Sequence, residues 1–358
     1  MSVSIQEFAR LANTSVATVS RALNGKPGVS ETRRQSICAL AERLGYQPNQ
    51  FARNLQAQRS STLGFVSANL DNKTHQALLR PLEAAARDRG YEMLIADSRM
   101  DAKRERANVE ALLRYRVDGF VLCPVFDQDA RADTDFIREL GLRKTPFVVA
   151  GLIPGIPLDS VDNDEVGAAR ELTRHLLELG HSRFGIIDRP EANRVSSARL
   201  QGITEELAAA GHRVAEPRPE GTLRILRAPS QPAETVGNSV LAWFREELPP
   251  TALICLQNHL AMRLPRPLTQ AGLVIPEDVS LATFDDSDWC RFANPSITAV
   301  APQPMHAAER LFGALMGRID DPDAPPAAHT VPQRLSLRES TGMLTESGAT
   351  VSGRTASA

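Results

Sequence analysis

Residues 15–24, SVATVSRALN, decide how the rest of the chain is read. Wound as one short helix, they put Val16, Ala17 and Arg21 on one face and Val19, Ala22 and Leu23 on the other, at three- and four-residue spacing. A helix of this kind seats its apolar face on a small core and offers the other face to a DNA groove.

The flanking residues build the frame for such a helix. Ser4 and Glu7 have the spacing of a capping box, and Ile5, Phe8 and Ala9 form the buried stripe of a first helix. Ala12, Asn13 and Thr14 make a tight turn in which Asn13 tolerates a left-handed backbone. Ser15 caps the second helix, and Asn24-Gly25 with Pro27-Gly28 stop it. Ser30 caps a third helix with apolar positions Ile37, Leu40, Ala41 and Leu44, ended by Gly45. Two helices, a short turn and a packing helix make a helix-turn-helix unit.

Charge supports that reading. Residues 1–60 hold eight Lys or Arg against three Glu, a local +5, whereas the whole chain is −2 and the remainder therefore −7. A basic head on an acidic body suits nucleic-acid contact at one end. At 358 residues and 42% hydrophobic, the chain exceeds one ordinary core. Its four cysteines, Cys38, Cys123, Cys255 and Cys290, form no CxxC or Cys/His cluster, so neither a zinc site nor a disulfide framework is indicated. The N-terminus lacks the apolar core of a signal peptide, and no run approaches the roughly 20 apolar residues of a membrane span. A cytoplasmic, nucleoid-associated protein with no metal or cofactor is expected.

Beyond residue 61 the pattern becomes strands alternating with helices. TLGFVSANL, YEMLIADS, DGFVLCPV and PFVVAGL are strand-like, separated by helical patterns at 77–89 and 104–115. A second set follows near Val161: helix 165–180, strand FGIID, helix 197–211, then TALICL and VSLATFDD. Such βαβ order predicts two doubly wound parallel-sheet lobes, like those of periplasmic binding proteins, with a ligand cleft outside the strand C-termini. Residues 216–235, with four prolines, read as a loop at a lobe edge, and the small polar tail after Met343 reads as disordered. That tail contains no leucine heptad, which favours a dimer over a larger assembly.

Residues 4–60 resemble the headpiece and hinge of the lactose-repressor (LacI/GalR) family of bacterial transcription regulators, through TVSRALNG, VSETRR, LGYQPN and ARNLQAQRS in order. Body segments LEAAARDRGYEMLIADS, VDNDEVGA, HLLELGHSRFGIID, SARLQGI, VIPEDVSLATFDD and NPSITAV extend the resemblance over nearly the whole chain. The implied organisation is a helix-turn-helix headpiece at 1–47, a hinge at 48–60, a two-lobed effector-binding and dimerisation body at 61–343, and a tail at 344–358. The N-lobe would hold about 61–160 and 292–325, the C-lobe about 161–291 and 326–343.

The resemblance also implies roles. Arg21 has the two-pronged geometry to read a guanine edge, while Val16 and Ala17 offer only apolar contact to a thymine methyl. Ser4, Ser15, Thr18, Ser20, Asn24, Ser30 and Thr32 become candidate phosphate contacts, with a solvent-facing or capping role as the second reading for Thr18 and Ser20. In the hinge, Leu55 would wedge into the central step of a palindromic operator, flanked by Arg53 and Asn54, with Asn49 also near DNA; a flexible CG centre is favoured. Arg199, Asn258 and Asp285 fall on the family's effector-contacting positions, and Lys73 and His75 replace its usual aromatics. Asp162 is open between hinge residue and ligand contact. Aromatic content of only 5% makes the stacking platforms usual for sugars and purines scarce, and Lys73, His75 and Arg99 equally suit an anionic ligand; the resemblance implies a sugar or related small polar metabolite without closer assignment.

Two other classes are weighed. An enzyme with a helical cap lacks support, because no GxSxG elbow, HExxH helix, Walker loop or GxGxxG turn occurs. A sugar-binding transport protein would share the body but not residues 1–60.

Overall fold

In a computed structural model of the chain, the described residues are 4–23, 25–46, 60–126, 133–143, 145–190, 193–212, 223–228 and 233–344. They fall into two compact units that divide after Thr62.

The first unit is the three-helix head: α1 (Ile5–Leu11), α2 (Val16–Leu23) and α3 (Glu31–Leu44). The Ser4 hydroxyl accepts from the Glu7 N–H at 3.2 Å, which is the half of the expected capping box that forms. Asn13 takes the left-handed backbone anticipated for it, at φ 46°, and Gly45 ends α3 at φ 59°. Phe8, Ala9, Val19, Ala22, Ile37 and Ala41 make the core, closed by Tyr46 stacked on Phe8 at 4.4 Å. Ile5 departs from expectation and is exposed. Three short helices enclose too little volume to cover a first-turn side chain once Phe8 and Tyr46 fill the centre.

The second unit has two six-stranded sheets. The first runs β11-β5-β4-β3-β1-β2, from β1 (Thr62–Ser67), β2 (Glu92–Asp97), β3 (Gly119–Cys123), β4 (Phe147–Ala150), β5 (Ser160–Asn163) and β11 (Ala328–Val331). Helices α4 (Lys73–Asp88) and α13 (Pro304–Asp320) cover one face; α5 (Ala102–Arg114) and α6 (Thr134–Leu142) cover the other. The second sheet runs β12-β10-β9-β8-β6-β7, from β6 (Phe184–Asp188), β7 (Leu223–Arg227), β8 (Ala252–Cys255), β9 (Ser280–Phe284), β10 (Thr298–Ala301) and β12 (Arg334–Ser336). Helices α7 (Glu165–Glu178) and α8 (Arg194–Ala209) pack on one face, and α9 (Ala233–Trp243), α10 (Asn258–Ala261), α11 (Pro265–Gln270) and α12 (Asp288–Phe292) lie along the chain that covers the other. Pairing is parallel except that β12 runs antiparallel to β10. The doubly wound expectation for the body is met.

The crossovers lie elsewhere than expected. The first follows Asn163, because Ser160 and Val161 pair with β4 in the N-lobe sheet. The second follows Ala301 rather than residue 291, since Thr298 to Val300 pair with β9 and belong to the C-lobe. The third follows Val331 rather than residue 325, since β11 pairs with β5. Each strand joins the sheet whose buried edge it satisfies, which its own composition does not disclose.

Two further readings change. The proline-rich stretch 216–235 contains β7, paired along its length with β6, and the start of α9; its prolines, at 217, 219, 229 and 232, lie outside the strand. Leu344 is not loose, as its N–H donates to the Leu179 carbonyl at 2.9 Å. The rest of the tail, like hinge residues Asn49, Arg53, Asn54 and Leu55 and also Asn24, lies outside the described residues.

Candidate functional site

On α2 the two faces separate as the sequence demands. Val19 and Ala22 are buried, while Val16 (39% exposed), Ala17 and Arg21 face out. The helix start is fixed by Ser15, whose hydroxyl accepts from the Thr18 N–H at 3.1 Å and pairs with the Thr18 hydroxyl at 2.9 Å. Those two side chains are therefore occupied in holding the helix. Ser20 is half-buried. Ser30 sits at the start of α3 without bonding its backbone, contrary to the cap expected, so its hydroxyl is left for another partner; Thr32 is exposed. A residue the sequence reading counted only as charge fixes the turn: Arg33 Nη2 donates to the carbonyls of Ala12 (3.0 Å) and Asn13 (2.8 Å). Arg34 likewise bonds the Lys26 carbonyl at 3.1 Å. Arg21 has no ion pair among the described residues, so its guanidinium is presented uncommitted.

In the body, three of the expected effector residues meet at the C-terminal edge of the second sheet. Arg199, on α8, is 4% exposed at its side chain. Its Nε donates to Glu165 at 2.7 Å, Nη1 to the Leu256 carbonyl at 2.5 Å and to Asp285 at 3.1 Å, and Nη2 to Asp285 at 2.7 Å. Four of five N–H donors are thus taken. Its plane lies over the Phe284 ring at 4.5 Å. Burial alone would lower its pKa, but the Asp285 and Glu165 carboxylates more than offset this and hold it above the ordinary value. Neither Glu205 nor Glu206 engages it, as they pair with Arg170 and Arg174. Asp285 follows β9 at φ 65°, where the Asn258 amide donates to its carbonyl at 2.8 Å. At 34% exposure it is the open member of the group. The adjacent Asp286 is 4% exposed and tied to Arg338 at 2.7 Å, a structural post.

The other expected contacts stand apart. His75, on α4, pairs with the Ser67 hydroxyl at the end of β1 at 2.9 Å, and burial holds its imidazole below its usual pKa despite an opposing hydrogen bond to the Asn69 backbone. It is therefore neutral at pH 7. Lys73 is exposed, reaching Gln76 at 3.4 Å. Asp162 takes two bonds from Arg194, at 2.6 and 3.0 Å, and does not join Arg199 or Asp285. Arg194, Glu165 and Gln333, which bonds Glu165 at 3.0 Å, escaped sequence reading. Their partners lie 32 to 168 positions away, and no local spacing signals that. Among the described residues no group of three or more His, Cys, Asp or Glu is placed to hold a metal ion, and no helix is long and apolar enough to cross a membrane.

Comparison with known proteins follows the same division. Residues 4–49 match the family described as bacterial regulatory proteins, lacI family, and residues 173–341 match a periplasmic binding protein-like domain. The chain is 26% identical over 320 residues to the HTH-type transcriptional repressor PurR of Haemophilus influenzae, covering 89% of this chain and 92% of that one. It is 27% identical over 349 residues to catabolite control protein A of Staphylococcus aureus, covering 95% and 100%. The solved lac repressor dimer, bound to operator and the anti-inducer ONPF, superposes with a TM-score of 0.80 at 20% identity, covering 96% of this chain and all of that one. The chain thus joins a lacI-family helix-turn-helix head to a periplasmic-binding-protein-like body, in the same order as the bacterial regulators to which it is similar.

Proposed function

We propose that the chain is a ligand-responsive transcriptional repressor that binds a palindromic operator as a homodimer. The observation that carries this is α2: its apolar face is consumed by the head core while Val16, Ala17 and Arg21 stand free on the other. Arg21 then supplies the direct base readout, with Val16 and Ala17 adding methyl contact. Ser4, Ser20, Asn24, Ser30, Thr32 and Asn49 serve the phosphates, with Ser15 and Thr18 contributing through the helix start they hold. Arg53, Asn54 and Leu55 act in the minor groove at a central CG step.

The effector is a small polar metabolite received between the lobes by Asp285, which Arg199 anchors with two hydrogen bonds and Asn258 holds in its turn, with Lys73 and His75 on the N-lobe side. Differential affinity for two lobe orientations supplies the coupling to DNA, typically about 1–3 kcal/mol. The chain acts without catalytic turnover, in the cytoplasm and on the nucleoid. Dimerisation uses the free edges β2 and β7, which end the two sheets and expose Leu94, Ile95 and Ile225.

The test is fluorescence anisotropy on an operator recovered by in vitro selection, against a random duplex, over a salt series. Native protein should prefer the operator and lose affinity steeply with salt. Arg21→Ala should lower operator affinity by roughly 10- to 100-fold and barely change random-duplex affinity, as removal of a bidentate base contact does. Equal losses on both duplexes would refute the assignment of α2.

A further inference from the structure

Strands β5 and β11 form part of the hinge and have two unlike faces. Val161 and Val331 pack into the core that α4 and α13 cover. Side chains alternate along a strand, and Thr330 is in register with Asp162, so these two share the opposite face. On that side lies a cavity of about 410 Å³ bounded by both lobes. Leu152 and Pro154, from the segment joining β4 to β5, and Thr330 and Asp162 form its N-lobe wall. Arg194, Ser197, Ala198 and Gln201 form its C-lobe wall, at the i, i+3, i+4, i+7 spacing of one face of α8. Arg199 is not on that face. Of the residues expected to meet an effector only Asp162 lines the cavity; Lys73, His75, Arg199, Asn258 and Asp285 do not, so the cavity is distinct from the group around Arg199.

Its chemistry is specific. The Asp162–Arg194 pair is charge-neutral, Asp164 caps α7 through the Gly167 N–H at 2.8 Å, and Glu165 is engaged by Arg199 and Gln333. An anion would meet three carboxylates, and a cation would compete with Arg194. The hydroxyls of Ser197 and Thr330 and the amide of Asn163 have no partner among the described residues. Gln201 donates to Glu205 at 2.8 Å, leaving its amide oxygen to accept. Leu152, Pro154, Val166 and Ala198 supply apolar surface. A ring with one hydrocarbon face and a rim of hydroxyls satisfies this set.

We propose that the cavity behind the hinge is a second small-molecule site, for a neutral polyhydroxylated metabolite of monosaccharide size, whose occupant clamps the two lobes in one orientation. The proposal rests on the two-lobed regulator reading above and adds a second input to it. Glu165, which lines the cavity and also bonds Arg199, joins the new site to the effector group.

Thermal unfolding of the full chain with D-ribose, D-glucose and myo-inositol tests it, using native protein, Asp285→Asn, Ala198→Phe to fill the cavity, and Gln201→Leu to remove an acceptor without adding bulk. At saturating polyol, on the order of 100 times Kd, at least one of the three should raise the midpoint by several degrees in native protein and in Asp285→Asn. That rise should vanish in Ala198→Phe, and the apparent Kd should weaken at least tenfold in Gln201→Leu. A rise lost in Asp285→Asn but kept in Gln201→Leu would assign the polyol to the effector cleft and overturn the second site. So would no rise with any of the three in native protein. Operator binding of unliganded native protein, measured alongside, separates failure of this site from failure of the regulator assignment: intact operator binding with no polyol effect sinks only the second site.

Discussion

Glu105 carries the sharpest electrostatic conflict in the body. It is fully buried on α5, its Oε2 accepts the Val125 N–H at 2.6 Å, and its Oε1 has no partner among the described residues. Burial, with Asp133 adding repulsion and the Val125 bond opposing, raises its pKa from 4.5 to about 7. Burial, with Glu105 adding, also pushes the neighbouring Cys123 thiol up to about 12, so it stays protonated. A folded-state pKa above the unfolded one means that folding takes up a proton. The stability this gives is fully present below about pH 4.5 and is lost as pH rises through 7. A shift of this size corresponds to about 3 kcal/mol. Glu105→Gln should therefore flatten the pH dependence: relative to native, it should gain stability at pH 8 that it does not gain at pH 5, read from urea midpoints at the two pH values. Equal effects at both would show that Glu105 does not titrate across this range. Nothing in LLRYR or KRERAN marks Glu105 as different from its exposed neighbours. Only the sheet, which swings one helix face inward, makes it so, and the same holds for Arg199, whose position was legible but whose four bonds were not.

At the scale of the element, the head was readable almost throughout because its signals are local: caps, a left-handed Asn13, glycine stops and helical spacing. Arg33 is the exception, since it works across the turn. Its two bonds satisfy the carbonyls of Ala12 and Asn13, where α1 has just ended and its last acceptors lack helical partners. Arg33→Met keeps the stem and removes the donors. For a partly exposed charged bond the loss should be about 1 kcal/mol, so amide exchange at Val19 and Ala22 should quicken roughly fivefold while exchange in β8 stays unchanged. Unchanged exchange in the head would show that water replaces the guanidinium at no cost. In the body, strand existence was legible from apolar runs, but sheet membership was not. TAVA and AHTV join different lobes although each is a four-residue strand next to a crossover, and β7 hid behind the prolines around it. Partner choice is a long-range property, decided by which edge has unpaired N–H and C=O groups.

For the whole molecule, the proposed role of Arg21 as the main base contact would leave a single head with little direct readout, so on that reading specificity rests on pairing two copies. The acidic body supplies the means. Its sheets end on β2 and β7, and each edge exposes apolar side chains, Ile95 at 48% and Ile225 at 40%. Exposed apolar edges of this kind invite association with a second copy. Placing Asp at both positions sets like charges opposite each other across a two-fold interface, a cost that the body's existing negative excess reinforces. The double variant Ile95→Asp/Ile225→Asp should sediment as a monomer. Its operator affinity should then fall by at least 100-fold, because one head must bind without the effective concentration its twin provides, while its affinity for random duplex falls far less. Since neither residue lies in the head, a monomer that keeps native operator affinity would show that one headpiece suffices. A dimer that persists would place the interface on another surface. The two results bear on different claims, so sedimentation and anisotropy on the same preparation separate how the protein pairs from how it reads DNA.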